Sequence, residues 1–276
     1  MSTLRIVGML TVVCANIFAA DINLWVDDSA GVIGLVDVTP GPNLGKVTLV
    51  GPSGVVLTDI AFDASGHLFG IGPLSTGPFN LYSLNTTTGA ASVIAALNPP
   101  VPAVPCGSAT CPPNALVFSG SGTLYTATNS LYTINPVTAA DTLVGPLGGG
   151  FVSGGDLAFA NGKMFLATSN NSLVTVNPTT GAATLVGPMG VASMFGLASP
   201  DNATLYGVAG TSVYILDQTT GNATLLVNYG GHGLGQAFGE AFFTEATSTV
   251  PEPSSFILVG AGLLAWRMRR RIRRSA

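Results

Sequence analysis

The chain has 276 residues, 47% of them hydrophobic, which is ample for a large core and excludes an intrinsically disordered protein. The formal charge of −4 is unevenly spread: residues 21–250 carry Lys46 and Lys163 against twelve carboxylates, a local net charge of −10. Such a body repels a phosphate backbone and has no basic stripe to overcome the repulsion, so nucleic-acid binding is excluded.

Residues 1–20 place Arg5 before an apolar run from Ile6 to Ala20, the order of a secretory signal helix. Cleavage after Ala20 puts a small residue at −1 but Phe18 at −3. A lipidated Cys14 fits less well, because Val13 occupies a position that needs a small residue. The competing reading is a first core strand or helix.

Residues 21–247 form a repeat. Leu49-Val50-Gly51-Pro52, Leu143-Val144-Gly145-Pro146 and Leu185-Val186-Gly187-Pro188 are copies of one segment. A second marker is an apolar strand: Ile60-Ala61-Phe62, Leu116-Val117-Phe118, Leu157-Ala158-Phe159, Leu197-Ala198-Ser199 and Glu240-Ala241-Phe242, spaced 56, 41, 40 and 43 residues apart. Each unit then runs through two further strands, such as Lys163–Ala167 and Leu173–Val176, into an Asn-Pro-x-Thr turn. Asn177 can bond the turn backbone, Pro178 pre-sets φ, and Gly181 can take the left-handed conformation before the last strand. Four antiparallel strands per roughly 40 residues is the blade of a β-propeller.

Residues 57–97, 115–146, 156–188 and 196–228 supply four complete units. The strands near Trp25, Ile33 and Val47 lack a leading Ala-Phe strand, and residues 239–243 supply one without a blade behind it. Together they predict an all-β propeller of five four-stranded blades closed by both ends of the body. Six blades or an open β-solenoid are the fallbacks.

Between the first two complete units, residues 97–114 hold six prolines with Cys106 and Cys111. This predicts an irregular loop pinned by a disulfide, an export-compatible arrangement that competes with half a metal site. Neither a second Cys pair nor a His pair completes such a site.

Catalytic signatures are missing. Gly-x-Ser-x-Gly and HExxH do not occur, and Gly230–Gly235 has Gln236 where a dinucleotide fingerprint needs glycine. The two histidines, His67 and His232, read as turn and loop residues. Asn85, Asn170, Asn202 and Asn222 head glycosylation-like triplets that turn chemistry explains equally well. Inner strands line a propeller's channel, so Asp59, Asp156 and Glu240 are expected to converge there. Three such carboxylates could hold Ca²⁺ or do acid/base work, against the simpler reading of solvated channel acids.

Residues 248–276 contain Val250-Pro251-Glu252-Pro253, an uncharged apolar run over 254–266, and a cluster of Arg267, Arg269, Arg270, Arg271, Arg273 and Arg274. This order resembles the PEP-CTERM sorting signal of Gram-negative bacteria. The resemblance implies an exported protein, held transiently in the inner membrane and processed by an exosortase-type protease, commonly in bacteria that make exopolysaccharide. Thirteen residues give roughly 20 Å of helix against a hydrocarbon core of roughly 30 Å. Snorkelling arginines and local thinning would cover part of the difference, and the arginines would stay cytoplasmic.

Two functions fit: an exported non-enzymatic propeller with a binding or structural role at the cell surface or in the exopolysaccharide matrix, and a propeller enzyme of lyase or lactonase type with a channel metal. Scarce histidine favours the first.

Overall fold

The structure, a computed structural model, describes residues 22–246 except 75–77, 99, 107 and 108. The predicted signal helix over 1–20 and the sorting segment over 248–276, with its apolar helix, lie outside the described residues. Among those described, no helix is long and apolar enough to cross a membrane.

Five four-stranded antiparallel sheets follow one another around an axis. Blade 1 contains β1 (Asn23–Asp28), β2 (Val32–Asp37) and β3 (Val47–Pro52). Blade 2 is β4 (Asp59–Phe62), β5 (Leu68–Gly72), β6 (Asn80–Leu84) and β7 (Ala91–Ala96). A separate hairpin, β8 (Val104–Cys106) with β9 (Ala109–Cys111), precedes blade 3, which is β10 (Leu116–Phe118), β11 (Leu124–Ala127), β12 (Ser130–Ile134) and β13 (Asp141–Pro146). Blade 4 is β14 (Ser153–Ala160), β15 (Lys163–Thr168), β16 (Ser172–Val176) and β17 (Ala183–Pro188). Blade 5 is β18 (Met194–Ala198), β19 (Leu205–Ala209), β20 (Ser212–Leu216) and β21 (Ala223–Asn228). The last strand, β22 (Ala237–Phe242), returns to blade 1 and pairs with β1, setting Leu24 opposite Phe242 and Trp25 opposite Ala241. The predicted ring of five blades therefore closes as the repeat implied. Six blades and the open solenoid are ruled out.

The turns form for the expected reason. Asn177 Oδ1 accepts from the N–H groups of Thr179 and Thr180 at 2.8 and 3.1 Å, and Gly181 donates to the Asn177 carbonyl at φ +77°. Asn85, Asn135 and Asp217 cap their turns in the same way.

No blade has a core of its own. Five apolar clusters each lie between two adjacent blades; Leu116, Phe118 and Leu124, for example, pack with Ala61, Ile71 and Leu81 of the blade before. Burial therefore requires neighbours, which is why the unit is repeated.

The Gly of Leu-Val-Gly-Pro proves to be a contact between blades. Each outer strand bulges just before it, and a Cβ added at Gly145 would strike the Thr180 carbonyl of the next blade's turn. Gly187 stands in the same relation to Thr220, and Gly51 to Thr88. At the junction of blades 2 and 3 the two glycine registers hold Ala95 and Ala139 instead, and the chain shifts so that Asn98 pairs in parallel with Ala140. The insertion begins at that junction. Contrary to the expected irregular loop, it folds into the β8–β9 hairpin, because its prolines leave enough donors between Val104 and Cys111 for a short ladder. Cys111 is disulfide-bonded. The Cys106 side chain, its predicted partner, lies outside the described residues.

Candidate functional site

The inner strands β4, β10, β14, β18 and β22 surround the axis, each packed on the next. Their registers align Asp59, Ala115, Asp156, Gly196 and Gly239 as one layer: four of them stand three residues before the strand partners of Leu68, Leu124, Met164 and Leu24, and Gly196 stands two before the partner of Tyr206, which follows Leu205. Asp59 and Asp156 are fully buried in that layer.

These two carboxyls close the axis by capping inward-facing backbone. Asp59 Oδ1 accepts from Ile60 N–H at 2.7 Å and Oδ2 from Leu116 N–H at 2.5 Å. Asp156 Oδ1 accepts from Leu157 N–H at 2.5 Å and shares the Leu116 N–H at 3.3 Å, while Oδ2 accepts from Leu197 N–H at 3.2 Å. Four inner-strand amides of one layer are thus satisfied by two side chains. Left bare, buried amides of this kind would each cost about 1–3 kcal/mol.

The two acids also share a side-chain hydrogen bond, which requires a proton on one of them. Burial, then the charge of Asp156 and the hydrogen bond to it, push the Asp59 carboxyl well above the usual carboxylate range. Burial raises Asp156 to about 7, against the opposing pull of its hydrogen bonds from Asp59 and the backbone.

Glu240 behaves differently from its sequence expectation. It sits one register later, where the other blades have Ile60, Leu116, Leu157 and Leu197, so its side chain leaves the opposite face of its strand. It lies against Gly196 of blade 5, whose added Cβ would come within 2.7 Å of Glu240 Cγ. Both carboxylate oxygens are buried without a hydrogen-bond partner, and burial, followed by the charge of Asp156, raises this acid well above its normal range. Glycine at 239 similarly leaves room for the carboxyls of Asp59 and Asp27.

Sequence reasoning missed Asp27 and Glu245. Asp27 lies on β1, the second strand from the axis, where the Ala-Phe markers give no signal; its alternation with Val26 and Asp28 is that of an ordinary strand. Both are buried and pushed upward by burial and then by Asp156. Among the described residues, no three His, Cys, Asp or Glu side chains are arranged to hold a metal ion. Both histidines are exposed, and His67 pairs with Asp63 at 2.9 Å. The glycine-rich run is a loop pinned to blade 1 through Gly235 N–H, which donates to Asp28 Oδ2 at 2.8 Å.

A family model described as the PEP-CTERM protein-sorting motif matches residues 249–274. No curated protein matches the chain by sequence. Among solved structures, one chain of a nidogen/laminin complex is 13% identical with a TM-score of 0.52, over 80% of this chain and 97% of that one. A protein of unknown function from Bacteroides thetaiotaomicron is 16% identical with a TM-score of 0.49, over 75% of this chain and 58% of its own. TolB from Acinetobacter baumannii is 12% identical with a TM-score of 0.44, over 75% and 52%. Identities this low bear on fold alone. The motif adds an address to that fold: the chain is a five-bladed β-propeller that carries a PEP-CTERM protein-sorting motif at residues 249–274.

Proposed function

We propose that this is an exported, non-enzymatic propeller, processed through an exosortase-type pathway and used for binding or structure at the cell surface or in an exopolysaccharide matrix. The observation that carries the reading is the sorting motif at 249–274, which starts a few residues after the strand that closes the ring. Its apolar run over 254–266 would hold the chain in the inner membrane, with the arginines from Arg267 to Arg274 on the cytoplasmic side and the acidic propeller beyond it.

The non-enzymatic part rests on how the axial acids are used. Asp59 and Asp156 spend their oxygens on backbone amides and on each other. Glu240 makes no hydrogen bond to that pair, and neither histidine is buried beside it.

The test is to express the full chain with an epitope after Ala276 in a host with an exosortase and in the same host without it. The reading expects propeller released without the epitope only where the exosortase is present. Released propeller that still carries the epitope would contradict it.

A further inference from the structure

The ring is closed by a strand pair unlike the inner pair of any other blade. In blades 2 to 5 the first strand leads to the second through a short connection, which holds the two together. In blade 1 the pair is β1 with β22, one from each end of the propeller, and β22 is reached through the glycine-rich loop over 229–236. Once this pairing is lost, no short connection keeps the strands near each other, and closing it again costs the entropy of a long loop.

The same seam collects the carboxyls that nothing satisfies. Asp27 on β1 and Glu240 on β22 each bury both oxygens without a hydrogen-bond partner, and Glu245, just past β22, buries Oε1 in the same state. Elsewhere among the described residues, Asp141 Oδ2 on blade 3 is the one carboxyl oxygen so placed. The titratable groups that face the seam are acids and phenols. Of the strands packed on β22, β1 brings Asp28, β4 Asp59, β14 Asp156 and β19 Tyr206, while β18 brings none; Tyr229 lies in the loop before β22. On the other side of β1, β2 brings Asp37, which accepts from Thr39 N–H. Among the described residues no cation pairs with any of these acids, the one ion pair being that of His67 with Asp63.

Protonated, such a carboxyl is a neutral group short of partners. Ionised, it is a buried charge among other acids, which costs far more. Burial holds Asp27 and Glu240 well above the usual carboxylate range while the seam is shut, and in water they return to ordinary values. The shut seam thus binds protons more tightly than the open one. Its stabilisation is complete below about pH 4, and each pH unit above that favours opening about tenfold per acid until the folded value is passed.

We propose that the seam between β1 and β22 is a pH-operated latch: ionisation of Asp27 and Glu240 lets β22 leave the ring while blades 2 to 5 stay folded. The inference rests on the ring closure alone and does not depend on the export pathway. It is distinct from a general loss of stability, because the opening is confined to the strand from which the chain runs on to the sorting motif.

Hydrogen–deuterium exchange of the full chain, read by mass spectrometry at pH 5.5 and pH 8.5 with labelling times scaled to the intrinsic exchange rate, tests this. Protection over 23–28 and 237–242 should fall about a hundredfold or more at the higher pH, and at least about tenfold further than protection over β15 and β16. In the double variant Asp27→Asn, Glu240→Gln the seam should lose no more than β15 and β16 do. A seam as protected at pH 8.5 as at pH 5.5, or an equal loss in every blade, would overturn the proposal. A double variant whose seam opens as the natural one does would also overturn it. Should the double variant not fold, Glu240→Leu replaces it, and the profile of the natural chain decides on its own.

Discussion

Asp59 and Asp156, from blades 2 and 4, accept from the same backbone N–H, that of Leu116 on the blade between them. One shared donor ties three inner strands together at the axis. The carboxyls that look most like a reaction centre in the sequence are thereby engaged with backbone amides.

Removing one cap should cost stability. Asp59→Ala leaves Ile60 N–H bare and Leu116 N–H with only its longer bond to Asp156, so chemical denaturation should report a loss of about 2–4 kcal/mol. Asp59→Asn keeps an acceptor and should cost less. Equal stability of Asp59→Ala and the natural protein would show that the caps are dispensable.

The pH dependence should run opposite to that of a protein held together by ion pairs. Burial raises Asp27, Asp59, Asp156, Glu240 and Glu245 in the folded state above their unfolded values near 4. The folded state then binds more protons than the unfolded state, so this contribution is complete below about pH 4 and is lost as pH rises through about 7 and beyond. Melting temperature measured from pH 5 to pH 8.5 should fall, and Asp156→Asn should flatten the slope. A melting temperature that climbs over this range would contradict the burial of protonated acids.

Glu240 occupies a core position as an acid without a partner. Glu240→Leu restores the residue type of Leu116, Leu157 and Leu197 and should stabilise the protein at neutral pH by about 1–2 kcal/mol in urea melts. A destabilised variant would mean that the carboxyl makes an interaction worth keeping.

Much of this was legible in the sequence. Asn177, Pro178 and Gly181 announced the turn, the Ala-Phe markers set the blade count, and the stray strand near Phe242 foretold closure on Trp25. Asp59 and Asp156 could be placed because the markers give the register of the inner strand. Glu240 was misplaced beside them because adjacency in sequence does not respect the alternation of a strand, where one step reverses the side chain. Asp27 was invisible, since its approach to the axis depends on Gly239 having no side chain. Thr58, Asn114, Gly155, Phe195 and Phe238, each two residues before the Ile, Leu or Glu of a marker, line one cavity at the end of the axis. Nothing local says that the five residues meet.

The glycines of Leu-Val-Gly-Pro repeat in the sequence because of a demand between blades, backbone of one blade against backbone of the next. Gly187→Ala should cost about 1–3 kcal/mol, because the added Cβ meets the Thr220 carbonyl and neither backbone can yield cheaply. The same change at Gly162, whose Cβ would meet nothing, tests for generic loss at glycine. It carries only the strain of its φ of +69°, so the larger loss should fall on Gly187.

That the buried carboxyl pair at the axis holds a proton is tested most directly by carbon-detected NMR titration of the Asp59 and Asp156 side chains. The account predicts that the pair still holds a proton at pH 6 and releases it near or above pH 7. Two carboxylates both fully ionised at pH 6 would contradict it.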